Sequence, residues 1–151
     1  KSKTYTLNSA VLNLDCNGLQ ELSFDIAFVH GGTSGTMSFD YDKSAQKLTG
    51  SFGYRKSVSW SKRPCDICLR YSGSASGTLY MYLDVDMNNN SGAFRFGGSI
   101  KGSGSSQSLN WSFETSFNTG VTWAAGSSDF SGGVSFRVSC GGYRWNFSAS
   151  V

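Results

Sequence analysis

Residues 78–86 read Thr-Leu-Tyr-Met-Tyr-Leu-Asp-Val-Asp, with apolar and polar side chains in strict alternation. Leu79, Met81, Leu83 and Val85 fall on one side of an extended chain, and the residues between them fall on the other. Because successive side chains of a β-strand point to opposite faces, this period of two predicts a strand with one apolar and one polar face. Strands of this kind belong to antiparallel sheets that cover a core on one side.

The same alternation recurs along the chain, at residues 22–30, 36–42, 108–117, 134–139 and 143–151. Weaker patterns with internal glycines predict strands with bulges or tight bends at residues 47–54 and 93–100. Gly- and Ser-rich turn signals separate the strands, at residues 31–32, 72–77, 88–92, 101–106, 125–128 and 141–142. A spacing of about 8–12 residues between strands predicts one all-β domain over residues 1–151, folded as an antiparallel β-sandwich.

The composition agrees with an all-β chain. Among 151 residues there are 28 Ser and 19 Gly but only two Glu and one Pro, so residues that favour helices are scarce. The formal net charge of +3 is too small to predict nucleic-acid binding. Because apolar runs are only a few residues long, we expect no membrane insertion.

Four cysteines predict a disulfide framework. Cys140 continues the apolar register of residues 134–138, and Cys16 continues the register of Leu12 and Leu14, which suits a Cys16–Cys140 disulfide across the core. Cys65 and Cys68 would then pair with each other, in one of the three connectivities that four cysteines allow. The C-x-x-C lacks the strand–helix context of a redox motif, and the chain offers no recognised zinc spacing.

Three N-x-S/T sequons are candidate glycosylation sites, at Asn89, Asn110 and Asn146. Together with the even number of cysteines and the Ser/Gly-rich turns, they predict a secreted, extracellular protein.

Catalytic and cofactor motifs are missing from the sequence. It has no G-x-S-x-G elbow, phosphate-binding loop or dinucleotide fingerprint. The single histidine, His30, continues an apolar strand register, which is more typical of a structural residue. Residues 84–90 alternate oxygen-bearing side chains, but Asn89 and Arg95 stand where a calcium loop needs Gly and Glu. We therefore expect no enzyme activity, no metal and no cofactor.

The candidate binding surface combines basic and aromatic residues around the C-x-x-C. Five of the 13 Lys and Arg residues lie within residues 55–70, opposed only by Asp66. Arg and aromatic side chains are the types that anchor protein interfaces. We single out eight residues, the last two on the polar side of residues 78–86: Tyr54, Arg55, Lys56, Trp60, Lys62, Arg63, Tyr80 and Tyr82.

Near each end of the chain, a short alternating segment leads to a cysteine. Residues 11–16 read Val-Leu-Asn-Leu-Asp-Cys before the alternating strand at 22–26, and residues 134–140 read Val-Ser-Phe-Arg-Val-Ser-Cys before Tyr143 and Arg144. In these motifs the chain resembles the ZP-N domains of animal egg coats and other extracellular filaments. The resemblance implies an Ig-like β-sandwich with nested disulfides, Cys16–Cys140 and Cys65–Cys68.

The resulting functional hypothesis is a non-enzymatic extracellular recognition or structural module. It resembles an egg-coat repeat that binds a gamete-recognition protein, such as a sperm protein, through an apolar or aromatic strand surface. Modules of this kind could also associate with one another through their sheets. The alternative is a secreted carbohydrate-binding module or lectin that stacks sugars on Tyr54, Trp60, Tyr80 and Tyr82. A flat apolar face without a concave polar pocket would favour the protein partner.

Overall fold

The computed structural model of the protein describes residues 3–63, 70–106 and 109–151, and these form one antiparallel sheet. Each strand pairs with its neighbours in the chain, so that the order in the sheet equals the order in the sequence and β1 and β9 are its edges. The strands are β1 (Lys3–Asp15), β2 (Gly18–His30), β3 (Thr33–Asp42), β4 (Lys47–Lys62), β5 (Tyr71–Asp86), β6 (Ser91–Ser106), β7 (Leu109–Ala124), β8 (Ser127–Cys140) and β9 (Tyr143–Ser150).

The prediction of an all-β, antiparallel fold is confirmed, but the structure has a single sheet rather than the two of a sandwich. Consecutive strands are neighbours throughout the sheet, and the connections that the structure describes are short turns, so the described strands form a single layer. No hydrophobic side chain of the described residues is buried. The accessible surface is 10584 Å², whereas a compact protein of this mass would expose about 7,500 Å².

Strand register sorts the side chains into two faces. One row across the sheet joins Phe24, Phe39, Gly50, Leu83, Phe94, Val121 and Phe130, and we call this side the apolar face. A row on the opposite side, the polar face, joins Ser59, Ser74, Ser103, Ser112, Ser139 and Arg144. Hydroxyl pairs bridge neighbouring strands on the polar face, with 2.7 Å between the Oγ atoms of Ser112 and Ser139. The period of two in the sequence therefore produces both faces along the whole sheet.

Two predicted turns, at residues 72–77 and 101–106, are wrong. The two segments pair with each other inside β5 and β6, with Gly73 opposite Gly104 and Ser74 opposite Ser103. Serine alternates with Gly or Ala at residues 72–77 and 102–105, so these serines lie on the polar face and the glycines on the apolar face. Rings of Trp60, Phe113 and Trp111 fill the space above Gly73, Gly102 and Gly104, and composition alone does not predict this arrangement.

The predicted bulges at residues 47–54 and 93–100 are also wrong, because β4 and β6 keep an unbroken register with both neighbours. The register shifts that do occur lie in the edge strand β1, between Leu7 and Ser9 and between Asn13 and Leu14. Bulges on an edge strand interrupt the row of free backbone groups and oppose pairing with another chain.

The two ends of the sheet carry opposite charge. The turns at residues 16–17, 43–46, 87–90 and 125–126 lie at one end, which we call the acidic end. Acidic residues at or near it outnumber the basic ones, Lys43, Lys47 and Arg95, by seven to three: Asp15, Glu21, Asp40, Asp42, Asp84, Asp86 and Asp129. The turns at residues 31–32 and 141–142 lie at the other, basic end. At or near that end lie Lys3, Lys56, Lys62, Arg63, Arg70 and Arg144.

The predicted Cys16–Cys140 disulfide is absent, because both cysteines are free. Cys16 lies in the turn at the acidic end, and Cys140 ends β8 at the basic end. Strands of 13 residues or more separate these ends by about 40 Å, far beyond the Cα separation that a disulfide spans. Cys65 and Cys68, the other predicted pair, lie outside the described residues.

Candidate functional site

The predicted binding residues divide between the two faces. Tyr54, Lys56, Trp60 and Lys62 share the apolar face, because they are spaced by two in β4 and in register with Leu79 and Gly73. Arg55, Tyr80 and Tyr82 lie on the polar face, and Arg63 directly follows β4 at the basic end. The structure thus presents two separate candidate surfaces.

Aromatic side chains dominate the apolar face near the basic end. Trp60 stacks on Trp111 with 6.2 Å between ring centroids, and Trp111 stacks on Phe113 at the same centroid distance. The two indoles meet because Gly73 and Gly104 separate them; a Cβ atom on either glycine would come within 2.5 Å of an indole carbon. Sequence reasoning did not include Trp111 in the binding surface, although it falls in the same alternating register as Phe113 and Phe117.

Apolar side chains continue without interruption through the centre of the apolar face. Phe24 stacks on Phe39 at 5.6 Å, and Phe96 contacts Phe117 at 5.5 Å. Because Gly50 lacks a side chain, a groove of about 230 Å³ opens between Phe39, Leu83 and their neighbours. Water covers much of this surface, since Met81 at its centre is 40% exposed.

The polar face contains a cleft of about 700 Å³ that runs from β4 to β8 toward the basic end. Its charged lining residues are Arg55, Lys101, Glu114 and Arg137, and serines of β4, β5, β6 and β7 complete it. Arg137 lies 3.8 Å from a carboxylate oxygen of Glu114 and donates from Nε to Oδ1 of Asn146. Of these charged residues the sequence analysis identified only Arg55, because the other three stand singly within serine-rich strands.

Two aspartates close turns at the acidic end. Ser44 donates its hydroxyl to Asp42, and the backbone amides of Ala45 and Ser44 add to this, which lowers the pKa of Asp42 below its usual 3.8. The side chain and backbone of Asn89, the backbone of Asn88 and the charge of Lys47 lower the pKa of Asp86 in the same way.

The residues considered for metal or catalytic chemistry lie in strands and turns, where several contact neighbouring residues of the same turn or strand. Asp86 holds the turn that contains the predicted sequon at Asn89, and Tyr82 donates its hydroxyl to Asp84 over 3.3 Å. His30 closes β2 at the basic end, opposite Thr33 and Lys3. Within the described ranges, no three His, Cys, Asp or Glu side chains come together in a group that could hold a metal ion.

The three sequons all lie away from the apolar face. Asn89 stands in a turn, whereas Asn110 and Asn146 occupy the polar face opposite Ser105 and Arg137. Glycans at these positions would leave the apolar face open.

Comparison of the chain with family models, with curated proteins and with solved structures finds no significant match. Over the part of the chain that the structure describes, no helix is long and apolar enough to cross a membrane.

Proposed function

We propose that the protein is a non-catalytic extracellular recognition and structural module that works by docking its apolar face onto the apolar face of a second copy. The observation that carries this proposal is the continuous apolar face itself, which crosses all the strands of the sheet while no hydrophobic side chain of the described residues is buried. Exposed apolar patches of this extent mark interaction surfaces. The extracellular setting and the relation to ZP-N domains are predictions from the sequence.

The amount of exposed surface supports a partner of similar size. The chain exposes about 3,000 Å² more than a compact protein of its mass. Covering this excess on both copies would bury about 6,000 Å² in total, slightly above the roughly 2,000–5,000 Å² that obligate dimers commonly bury, so a second copy is large enough to cover most of it. Each buried Å² of apolar surface contributes about 25 cal/mol, which makes association the main source of stability available to the sheet.

A face-to-face pair would also supply the second layer that the sequence predicts. Twisted antiparallel sheets pack with their strands about 30° apart, and their inner faces then form the core of a sandwich. In this arrangement the sandwich is built by two chains instead of one. The three sequons would stay outside the interface.

Charge favours one orientation of the pair. A two-fold axis across the strands places the acidic end of one copy against the basic end of the other, whereas an axis along the strands places like charges together. Complementary charge steers association and suppresses the wrong arrangement. We therefore expect the axis across the strands.

The first experiment compares Met81→Lys with Tyr82→Lys by sedimentation velocity over a range of concentrations. The two residues are neighbours on β5, face opposite sides and are each 40% exposed. We expect the wild-type protein and Tyr82→Lys to be dimers, and Met81→Lys to weaken the dimer at least about 30-fold because it buries an unpaired charge. A folded, monomeric wild-type protein would refute the proposal, as would equal effects of the two variants.

Zero-length carbodiimide cross-linking tests the orientation. Lys3 and Asp15 lie at opposite ends of β1, about 40 Å apart within one chain, and they pair with apolar-face positions of β2, His30 and Gly18. A Lys3–Asp15 link therefore has to join two copies. We expect links between acidic-end carboxylates and basic-end lysines in the dimer band; a dimer linked only through like ends would overturn the proposed axis.

A further inference from the structure

The cleft on the polar face has more positive than negative charge. Arg55, Lys101 and Arg137 line it together with a single carboxylate, Glu114. Glu114 is engaged by Arg137, whereas Arg55 and Lys101 make no ion pair or side-chain hydrogen bond within the described part of the chain. Arg55 and Lys101 are therefore available to a ligand, and so is Arg137, because its long and solvent-exposed ion pair with Glu114 contributes little and can be exchanged for a stronger anion.

The three cations are spaced across the sheet. Lys101 on β6 and Arg137 on β8 stand in one row, two strands apart, and Arg55 on β4 lies two strands to the other side of Lys101 and one row away. At about 4.8 Å per strand, the line of charges extends for about 20 Å. An extended anion with repeated charges matches this spacing better than a small, compact one.

Hydroxyl groups fill the space between the cations. Ser57, Ser76, Ser103 and Ser112 line the cleft and present donors and acceptors to a bound molecule. The aromatic residues that the described strands place on the polar face, Tyr80 and Tyr82, do not line it. Phe113 also borders the cleft, but its ring lies on the apolar face, stacked on Trp111. The polar side of the cleft therefore lacks the stacking rings on which proteins bind the bases of single-stranded nucleic acids.

We propose that this cleft binds a linear anionic polysaccharide, a chain of sugar hydroxyls with repeated sulfate or carboxylate groups. Arg55, Lys101 and Arg137 contact the anionic groups, and the serines hydrogen-bond to the sugar hydroxyls. The site lies on the face opposite the proposed dimer interface, so this inference does not depend on the dimer. It gives the carbohydrate-binding alternative a specific site, different from the aromatic residues that the sequence suggested.

The test measures binding of dextran sulfate and of uncharged dextran by titration calorimetry. A cleft variant, Arg55→Gln with Lys101→Gln, is compared with a control variant, Lys47→Gln with Arg95→Gln. Both variants remove two positive charges from the polar face, but Lys47 and Arg95 lie outside the cleft. We expect dextran sulfate to bind and dextran not to bind. The cleft variant should lose at least about tenfold in affinity, and the control less than about twofold.

Three outcomes would overturn the proposal. Equal losses in the two variants would mean that dextran sulfate is attracted by net charge alone. Failure of the wild-type protein to bind dextran sulfate would refute the proposed site. Tighter binding of oligo-dT than of dextran sulfate at the same salt concentration would indicate that the ligand is a nucleic acid. The Met81→Lys variant separates the two proposals, because its affinity per chain for dextran sulfate should equal that of the wild-type protein whether or not it dimerises.

Discussion

The two faces of the sheet are built from the same strands, but their side chains differ in whether contacts within one chain satisfy them. On the polar face, serine and threonine hydroxyls of neighbouring strands pair with each other, as in Thr78 with Ser99 and Ser116 with Ser135. On the apolar face, rings stack on rings and cover glycines, yet they remain open to water. The hydroxyl groups of the polar face are thus suited to contact with water. The apolar face is not, because transferring apolar surface out of water is favourable.

The largest difference between the faces should appear on truncation of their central side chains. Phe94→Ala removes a ring from the middle row of the apolar face, and it should cost about 3–4 kcal/mol if a second layer covers that row. Its neighbour Arg95 faces the other way, and Arg95→Ala should change stability by less than about 0.5 kcal/mol. Urea denaturation at fixed protein concentration measures both. A cost below about 1 kcal/mol for Phe94→Ala would indicate that the apolar face stays uncovered.

A second difference concerns glycines on the apolar face itself. Gly73→Ala would place a methyl group 2.5 Å from Trp60, so the stacked indoles would have to move, at a cost of about 1–3 kcal/mol. At Gly50 the nearest atom would be 3.8 Å away, and Gly50→Ala should be neutral or slightly stabilising. Denaturation midpoints and tryptophan fluorescence report the two effects. Similar results for the two variants would show that the indoles do not lie over Gly73.

A smaller effect is expected for hydroxyl pairs on the polar face. Ser112→Ala removes one partner of the 2.7 Å bond to Ser139 and should cost about 1 kcal/mol. A double-mutant cycle with Ser139→Ala isolates the pair, and we expect a coupling of about 0.5–1 kcal/mol. Additive single and double variants would mean that water replaces this bond without loss.

The smallest effect is a dependence of stability on acid pH. The folded pKa values of Asp42 and Asp86 lie below 3.8, so their hydrogen bonds contribute fully above that pH and are lost as the pH falls through the lowered values. Denaturation midpoints should therefore decrease below about pH 3.8. Asp42→Asn with Asp86→Asn should flatten this decrease, and an unchanged pH profile would assign it to other carboxylates.

Alternation in the sequence predicted most of the strands, because the face on which a side chain lies depends only on whether its position is odd or even within a strand. Residues 78–86 and 134–139 are examples, and each lies in the predicted element. The same rule fails at residues 72–77, where serine and glycine are typical of turns. Those residues form a strand because β4 and β6 supply partners and Trp60 fills the space above Gly73.

The candidate sites could not be predicted from the sequence without knowing which strands are neighbours in the sheet. Lys101, Glu114 and Arg137 are far apart in the chain and become one row only when β6, β7 and β8 are placed in register. In the same way, Trp60 and Trp111 meet across two glycine-bearing strands. The cysteines show the reverse case: Cys16 and Cys140 have suitable registers, but the direction of their strands carries them to opposite ends.

Strand content, antiparallel pairing and the division into an apolar and a polar face follow from local alternation, which is written in the sequence. Local alternation does not determine whether those strands form one layer or two. It depends on which strands pair and on what finally covers the apolar side chains, and both are long-range choices that depend on the free energy of the whole assembly. The tertiary structure therefore decided the single sheet, the separation of Cys16 from Cys140 and the polar cleft, and with them the surfaces through which the protein is proposed to act.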